Sequence, residues 1–305
     1  MTPIRQILCA TDLSPASEPA WDEAQLLAAA VGAELVLLHV LPSLPIPVEG
    51  YFPPHLYQEL AEGAEREARA GLDAWLAKLR HPGVKARSRV VEGSAALRIL
   101  EVAREEGSDL VVVGTHGRTA IGRILLGSIA DRVVRAAPRP VVTVRPPPAG
   151  SRPARIGRIL YATDFSPTAR AAWPWVVALA QPTGASVDLL HVTVQPVPDR
   201  HLSPEVIGRM TAQLEEHGQA KAERFLQRWE RAEPGRLTRD RVQVLIRHGV
   251  VEDQIAHSAQ ARGADLIVMG THGSSGLLRW MLGSVAHHML QTAPCPLLTV
   301  GPEGQ

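Results

Sequence analysis

Residues 114–128 read GTHGRTAIGRILLGS, and residues 270–284 read GTHGSSGLLRWMLGS. Both copies have the form Gly-x-x-Gly, nine residues, then Gly-Ser, and both follow an apolar run. The rest of the chain repeats in step with them. Asp164 minus Asp12 and His191 minus His39 both give 152, while Gly249 minus Gly93, Gly270 minus Gly114 and Gly283 minus Gly127 all give 156. Four residues were therefore gained between His191 and Gly249, and the 305 residues are two copies of one module. About 150 residues per copy is an ordinary domain size. A first domain over 1–147, a linker over 148–155 and a second domain over 156–305 follow, because RPPPAGSRPAR at 145–155 has four prolines and no apolar periodicity.

Each copy alternates two kinds of segment. Short apolar runs at 4–10, 35–40, 84–91, 110–113 and 141–144 have strand length and no polar alternation, which suits a parallel sheet buried on both faces. Helical stretches are expected at about 58–80, 95–106 and 124–136, with a first helix from an N-cap at Ser17 to a stop at Gly32. The second copy repeats the order, with strands near 158–162, 187–192, 241–246, 265–269 and 297–300. Strands alternating with helices predict two tandem α/β domains of the doubly wound, Rossmann-like kind. Proline-rich loops at 42–54 and 195–204 differ between the copies and form variable rims.

With 32 basic and 31 acidic residues the net charge is +1, so no global field recruits nucleic acid or an anionic membrane. No run approaches the roughly 18 apolar residues of a membrane span, and no signal-peptide pattern opens the chain. These features predict a cytoplasmic protein. Cys9 aligns with Tyr161 and Cys295 with Arg139, so the cysteines are no disulfide framework, and Cys9 reads as a small buried hydrophobe.

The glycine motif starts where a strand leaves the sheet, the place at which open parallel sheets bind ligands. Glycines there let the backbone turn and approach a ligand. Gly127-Ser128 and Gly283-Ser284 each open a helix, whose unpaired amides and dipole suit phosphate oxygens. Asp12 in ATDLSP and Asp164 in ATDFSP end the first strand of each copy, where a carboxylate accepts from ribose hydroxyls or an adenine amino group, or builds an Asp turn. Neither the Walker lysine nor GxGxxG is present, which disfavours P-loop and NAD chemistry. His116 and His272 lie inside the loops, touching phosphate or packing beside it, while His39 and His191 read as strand-end hydrogen bonders.

The motifs ATDLSP, LLHV and GTHGRTAIGRILLGS, repeated as ATDFSP, LLHV and GTHGSSGLLRWMLGS, resemble the universal stress protein family over nearly the whole chain. The resemblance implies five-stranded parallel sheets of order 3-2-1-4-5, and ATP binding, since the glycine pattern marks the family's ATP-binding members. It places Ala10, Asp12 and Val40 toward adenine and ribose, with Gly114, His116, Gly117, Gly127, Ser128 and Ile129 around the phosphates. Arg118, which is Ser274 in the second copy, adds a cation to the first site. The second site would use Ala162, Asp164, Val192, Met269, Gly270, His272, Gly273, Gly283, Ser284 and Val285. It further implies an intramolecular pseudo-dimer through the last strands, with a homodimer as a further option.

No nucleophile with an adjacent base and no acidic pair for two metals stand out, so no catalytic or metal-binding residue is assigned. Slow ATP hydrolysis, with Mg²⁺ riding on the triphosphate, is the most that is expected. Two other functions fit an α/β fold of this kind. An adenylyl-transfer enzyme would carry HxGH-like or KMSKS-like signatures, which are absent, and a purely structural dimerisation module would leave both loops empty.

Overall fold

The computed structural model describes residues 4–43, 54–115, 127–146, 155–193, 203–273 and 282–302. The chain forms two compact units, dividing between Ala154 and Arg155. All of the expected linker 148–155 except Arg155, and most of both proline-rich loops, lie outside the described residues.

In the first domain the order is β1 (Gln6–Thr11), α1 (Glu18–Val31), β2 (Glu34–Leu41), α2 (Pro54–Leu76), β3 (Ala86–Glu92), α3 (Ala95–Glu105), β4 (Leu110–Gly114), α4 (Ser128–Ala136) and β5 (Val141–Val144). β1 pairs in parallel with β2 and β4, β2 with β3, and β4 with β5, so the spatial order is β3-β2-β1-β4-β5. Continuous apolar strands occupy the middle: Leu8, Leu37, Val112 and Val142 are fully buried. The edge strand β3 is only half-buried and carries Arg87 and Arg89, both hydrogen-bonded to Glu106. Those guanidinium donors hold the Glu106 carboxyl well below the usual range, at about 2.

The second domain repeats the plan with β6 (Arg158–Ala162), α5 (Pro167–Thr183), β7 (Ser186–Thr193), α6 (Pro204–Ala232), β8 (Val242–His248), α7 (Val251–Arg262), β9 (Leu266–Gly270), α8 (Ser284–Thr292) and β10 (Leu297–Val300). Parallel pairs β7–β8, β6–β7, β6–β9 and β9–β10 set the order β8-β7-β6-β9-β10. α1 and α5 lie across the central strands and bury Trp21 and Trp173. Gly32 and Gly184, both at φ 72°, end these helices in the left-handed conformation that glycine adopts without strain.

Local details differ from the sequence expectations. Val84 is apolar but belongs to a turn, its N–H donating to His81 O, so β3 starts at Ala86. α2 ends near Leu76 because Lys78 and Leu79 donate to carbonyls three residues back, tightening the last turn. Ser17 stands at the start of α1 without capping it through its side chain. Its hydroxyl donates instead to Asp12 Oδ1, 2.8 Å away.

Candidate functional site

In both domains the chain leaving the first strand turns back through a residue that is not glycine but has positive φ: Leu13 at 63° and Phe165 at 62°. Such a conformation is strained, by about 1–3 kcal/mol where surroundings impose it. The preceding threonines hold it, Thr11 Oγ1 accepting from Leu13 N–H and Thr163 Oγ1 from Phe165 N–H, each at 2.9 Å. The aspartates complete the turn. Asp12 Oδ1 accepts from Ser14 N at 3.0 Å, and Asp164 Oδ1 from Ser166 N at 2.9 Å.

His39 and His191, one strand over, brace the same turns. Each Nδ1 lies 2.8 Å from a carbonyl, Thr11 O or Thr163 O. A carbonyl only accepts, so Nδ1 carries the proton in both. Burial lowers the His191 pKa, outweighing the opposing effect of that carbonyl. The histidines are structural braces.

The fourth strand of each domain closes its glycine motif in an identical way. Gly127 N–H donates to Thr115 O and Gly283 N–H to Thr271 O, both at 2.8 Å. The helix that follows is thereby pinned to the end of the strand that precedes the loop. A Cβ on Gly127 would sit 2.8 Å from Thr115 O, and one on Gly283 would sit 3.1 Å from Thr271 O. These glycines are thus required by a close backbone approach. Gly270 has a different reason, since its Cβ would meet the backbone of Thr168 and Ala169 at the start of α5, at 3.0–3.2 Å.

Both helices have glycine N-caps and no side-chain cap, so the amides of their first turns face outward without one. Ser128, Ile129 and Ser284 are exposed there and Val285 is half-buried. Ile129 is 44% exposed, unusual for a large apolar residue in this protein.

The second domain brings the two halves of its motif set together. A Cβ on Gly273 would lie 3.0 Å from Asp164 Oδ2, so the loop after β9 and the turn after β6 touch through a glycine and an exposed carboxylate. Beside them the His272 ring is fixed by Thr271 Oγ1 at 2.9 Å from Nδ1, while its buried Nε2 has no hydrogen-bond partner. A buried unsatisfied nitrogen costs about 1–3 kcal/mol. Ala162 ends β6, and Val192 and Met269 are the penultimate residues of their strands, as Ala10 and Val40 are in the first domain. Gly114 ends β4. His116, Gly117 and Arg118 lie outside the described residues.

A family model, that of the universal stress protein family, matches residues 3–145 and again 155–301. The chain belongs to this family. A universal stress protein of Mycolicibacterium smegmatis is 28% identical over 304 residues, covering 97% of each chain. Another, from Methanocaldococcus jannaschii, is 33% identical over 148 residues, 47% of this chain and 83% of its own. The crystal structure of a universal stress protein from Archaeoglobus fulgidus aligns over 99% of this chain and all of its own, with a TM-score of 0.65 at 21% identity, a likeness of fold. Both modules are thus universal stress protein domains in tandem.

Thr115 and Thr271 escaped the sequence reading although their carbonyls receive the glycine clamps. The available signal was their identity in both copies, between two motif glycines. Among the described residues no helix is long and apolar enough to cross a membrane.

Proposed function

We propose that this universal stress protein is a stress-response regulator that binds ATP, one molecule in each domain, at the carboxyl ends of the first and fourth strands. The observation that carries this reading is the approach of Gly273 to Asp164, where any side chain would fill the space between glycine loop and carboxylate. The site fits a nucleotide chemically. The uncapped first turn of α8 offers amide donors to phosphate oxygens, the Ser284 hydroxyl adds another, and Asp164 Oδ2 accepts from the hydroxyl or amino groups of the nucleoside. His272 Nε2, on the ring whose Nδ1 faces Thr271 Oγ1, is left to hydrogen-bond the ligand.

The first domain has the same clamp, the same uncapped helix and the same turn at Asp12, so the proposal extends to it. Mg²⁺ would arrive on the triphosphate, since among the described residues no three metal-ligating side chains converge. The proposed role rests on occupancy, with hydrolysis slow at most.

Titration calorimetry with ATP on the whole chain tests the reading. Two molecules should bind per chain, and Gly273→Val should remove the second-domain event. No heat at millimolar ATP, or an unchanged isotherm in the variant, would sink it.

A further inference from the structure

The second domain contains a cleft of about 680 Å³ between α5 and α6, lined also by Asp164 and Phe165 of the turn after β6. That volume lies within the roughly 300–1,000 Å³ of small-molecule sites. Four cations line it: Arg170 from α5, and Lys221, Arg224 and Arg228 from α6. The three on α6 are spaced by three and four residues, which puts them on one helical face. Phe165, Trp173, Phe225 and Trp229 form the apolar part of the lining. These rings pack on one another, Trp173 meeting Phe225 at 5.3 Å and Trp229 at 6.2 Å between centroids.

A cationic helix face is usually solvated and balanced by nearby carboxylates. The first domain does balance its own. There Lys78 Nζ lies 2.8 Å from Glu18 Oε1 and Arg80 lies 3.4 Å from Asp22, so α1 and the end of α2 are joined by opposite charges. Buried residues fix the correspondence between α2 and α6: Ala68 with Ala222, Leu72 with Leu226 and Trp75 with Trp229, each 154 apart. With α1 and α5 offset by 152, Glu18 becomes Arg170 and Asp22 becomes Pro174. With α2 and α6 offset by 154, Lys78 becomes Ala232 and Arg80 becomes Pro234, while Glu67, Ala70 and Ala74 become Lys221, Arg224 and Arg228.

Both of these ion pairs are thus absent from the second domain, where four cations stand around an equivalent pair of tryptophans. Neighbouring carboxylates are engaged elsewhere, Glu223 with Arg239 and Glu233 with Arg236. Asp164 is the one acidic residue in the lining among the described residues. Arg170 donates Nε to Phe165 O at 2.6 Å, which orients its guanidinium and leaves the terminal nitrogens for another acceptor. Lys221, Arg224 and Arg228 have no ion-pair partner among the described residues.

We propose that this cleft of the second domain is a second ligand site, for a phosphorylated small molecule with a planar ring. The cations take the phosphate and the half-buried Phe225 and Trp229 take the ring. The cleft shares Asp164 with the proposed nucleotide site, but its four cations come from α5 and α6 rather than from the glycine loop, so it does not rest on the ATP reading.

The test uses the full chain and 8-anilinonaphthalene-1-sulfonate, a planar aromatic anion, followed by energy transfer from tryptophan. The probe should bind, and inorganic pyrophosphate should displace it. Arg224→Glu with Arg228→Glu should weaken the probe by at least about tenfold, while Arg224→Lys with Arg228→Lys should keep affinity within about threefold, which separates loss of charge from loss of fold. Probe affinity untouched by the charge reversal would overturn the proposal, as would failure of pyrophosphate to compete. Displacement by a glutamate-rich peptide but not by pyrophosphate would also overturn it, assigning the face to an acidic protein segment.

Discussion

Replacing Gly127 by alanine is expected to harm its domain more than Gly283→Ala harms the other, although both glycines hold the same motif position. Ordinary contact for a Cβ begins at 3.4 Å, whereas alanine would place it 2.8 Å from Thr115 O at position 127 and 3.1 Å from Thr271 O at position 283. The shortfalls are 3.4 − 2.8 = 0.6 Å and 3.4 − 3.1 = 0.3 Å. The opposing atom is backbone in both, so the helix start must retreat. Both clamp hydrogen bonds are 2.8 Å long. A retreat of those sizes stretches the first past the roughly 3.2 Å limit of a good N–H···O bond and leaves the second within it. Gly127→Ala thus loses the hydrogen bond, about 0.5–1.5 kcal/mol, on top of overpacking of about 1–3 kcal/mol. Gly283→Ala keeps the bond and sits at the low end of the overpacking range. Hydrogen exchange by mass spectrometry, comparing α4 with α8 in each variant, reads the difference directly. Calorimetry with ATP should show the first site weakened by about tenfold or more and the second by less. Equal protection loss in the two variants, or a larger loss at α8, would refute the geometric argument.

Three further outcomes are expected. The His191 pKa is lowered in the folded state, so below about 6.5 the unfolded chain binds a proton that the native domain resists. Stability of the second domain should then fall as pH drops through that range, and His191→Gln should flatten the fall in thermal unfolding followed from pH 7.5 to 5. The Glu106 carboxyl, held at about 2, stabilises the edge of the first domain above its unfolded pKa of about 4.3, and that stability is lost as pH falls toward 2. Glu106→Gln should therefore lower the urea midpoint at pH 7 and bring it level with the parent near pH 2. Burial pushes the Cys9 thiol far up, so a thiol reagent should leave Cys295→Ser unlabelled when native and label it once per chain in urea.

The fold was legible because its signals are local and repeated. Val111, Val112 and Val113 alternate with nothing polar, as befits a strand covered on both faces, and Gly32 stops a helix through its own φ. The aspartates were legible as turn residues and as ligand candidates together. Asp164 spends Oδ1 on Ser166 N and turns Oδ2 toward Gly273, so the turn role leaves the second oxygen facing the glycine loop. Ser17 misled because an N-cap hydroxyl accepts from the first turn with its backbone extended, whereas Ser17 has helical dihedrals of φ −93° and ψ −6° and its hydroxyl donates to Asp12. The cationic cleft was hidden for a different reason. Arg170 and Arg228 are 58 positions apart (228 − 170) and the chain's charges nearly cancel, so composition dilutes the cluster. Setting α5 and α6 against α1 and α2, residue by residue, brings it out.

The paired amide-to-carbonyl contacts at Thr115–Gly127 and Thr271–Gly283 bear on how such a protein diversifies. Each fastens both ends of an intervening segment at one point, so the sheet and the next helix are insulated from what the segment contains. Closing a longer segment across the same fastening costs only about 0.6 kcal/mol for each doubling of length. The stretch from 118 to 126, RTAIGRILL, and that from 274 to 282, SSGLLRWML, have drifted apart while the fastening residues stayed identical. Residues inserted between the fastened ends, in either copy, should therefore alter ligand preference without unfolding the domain.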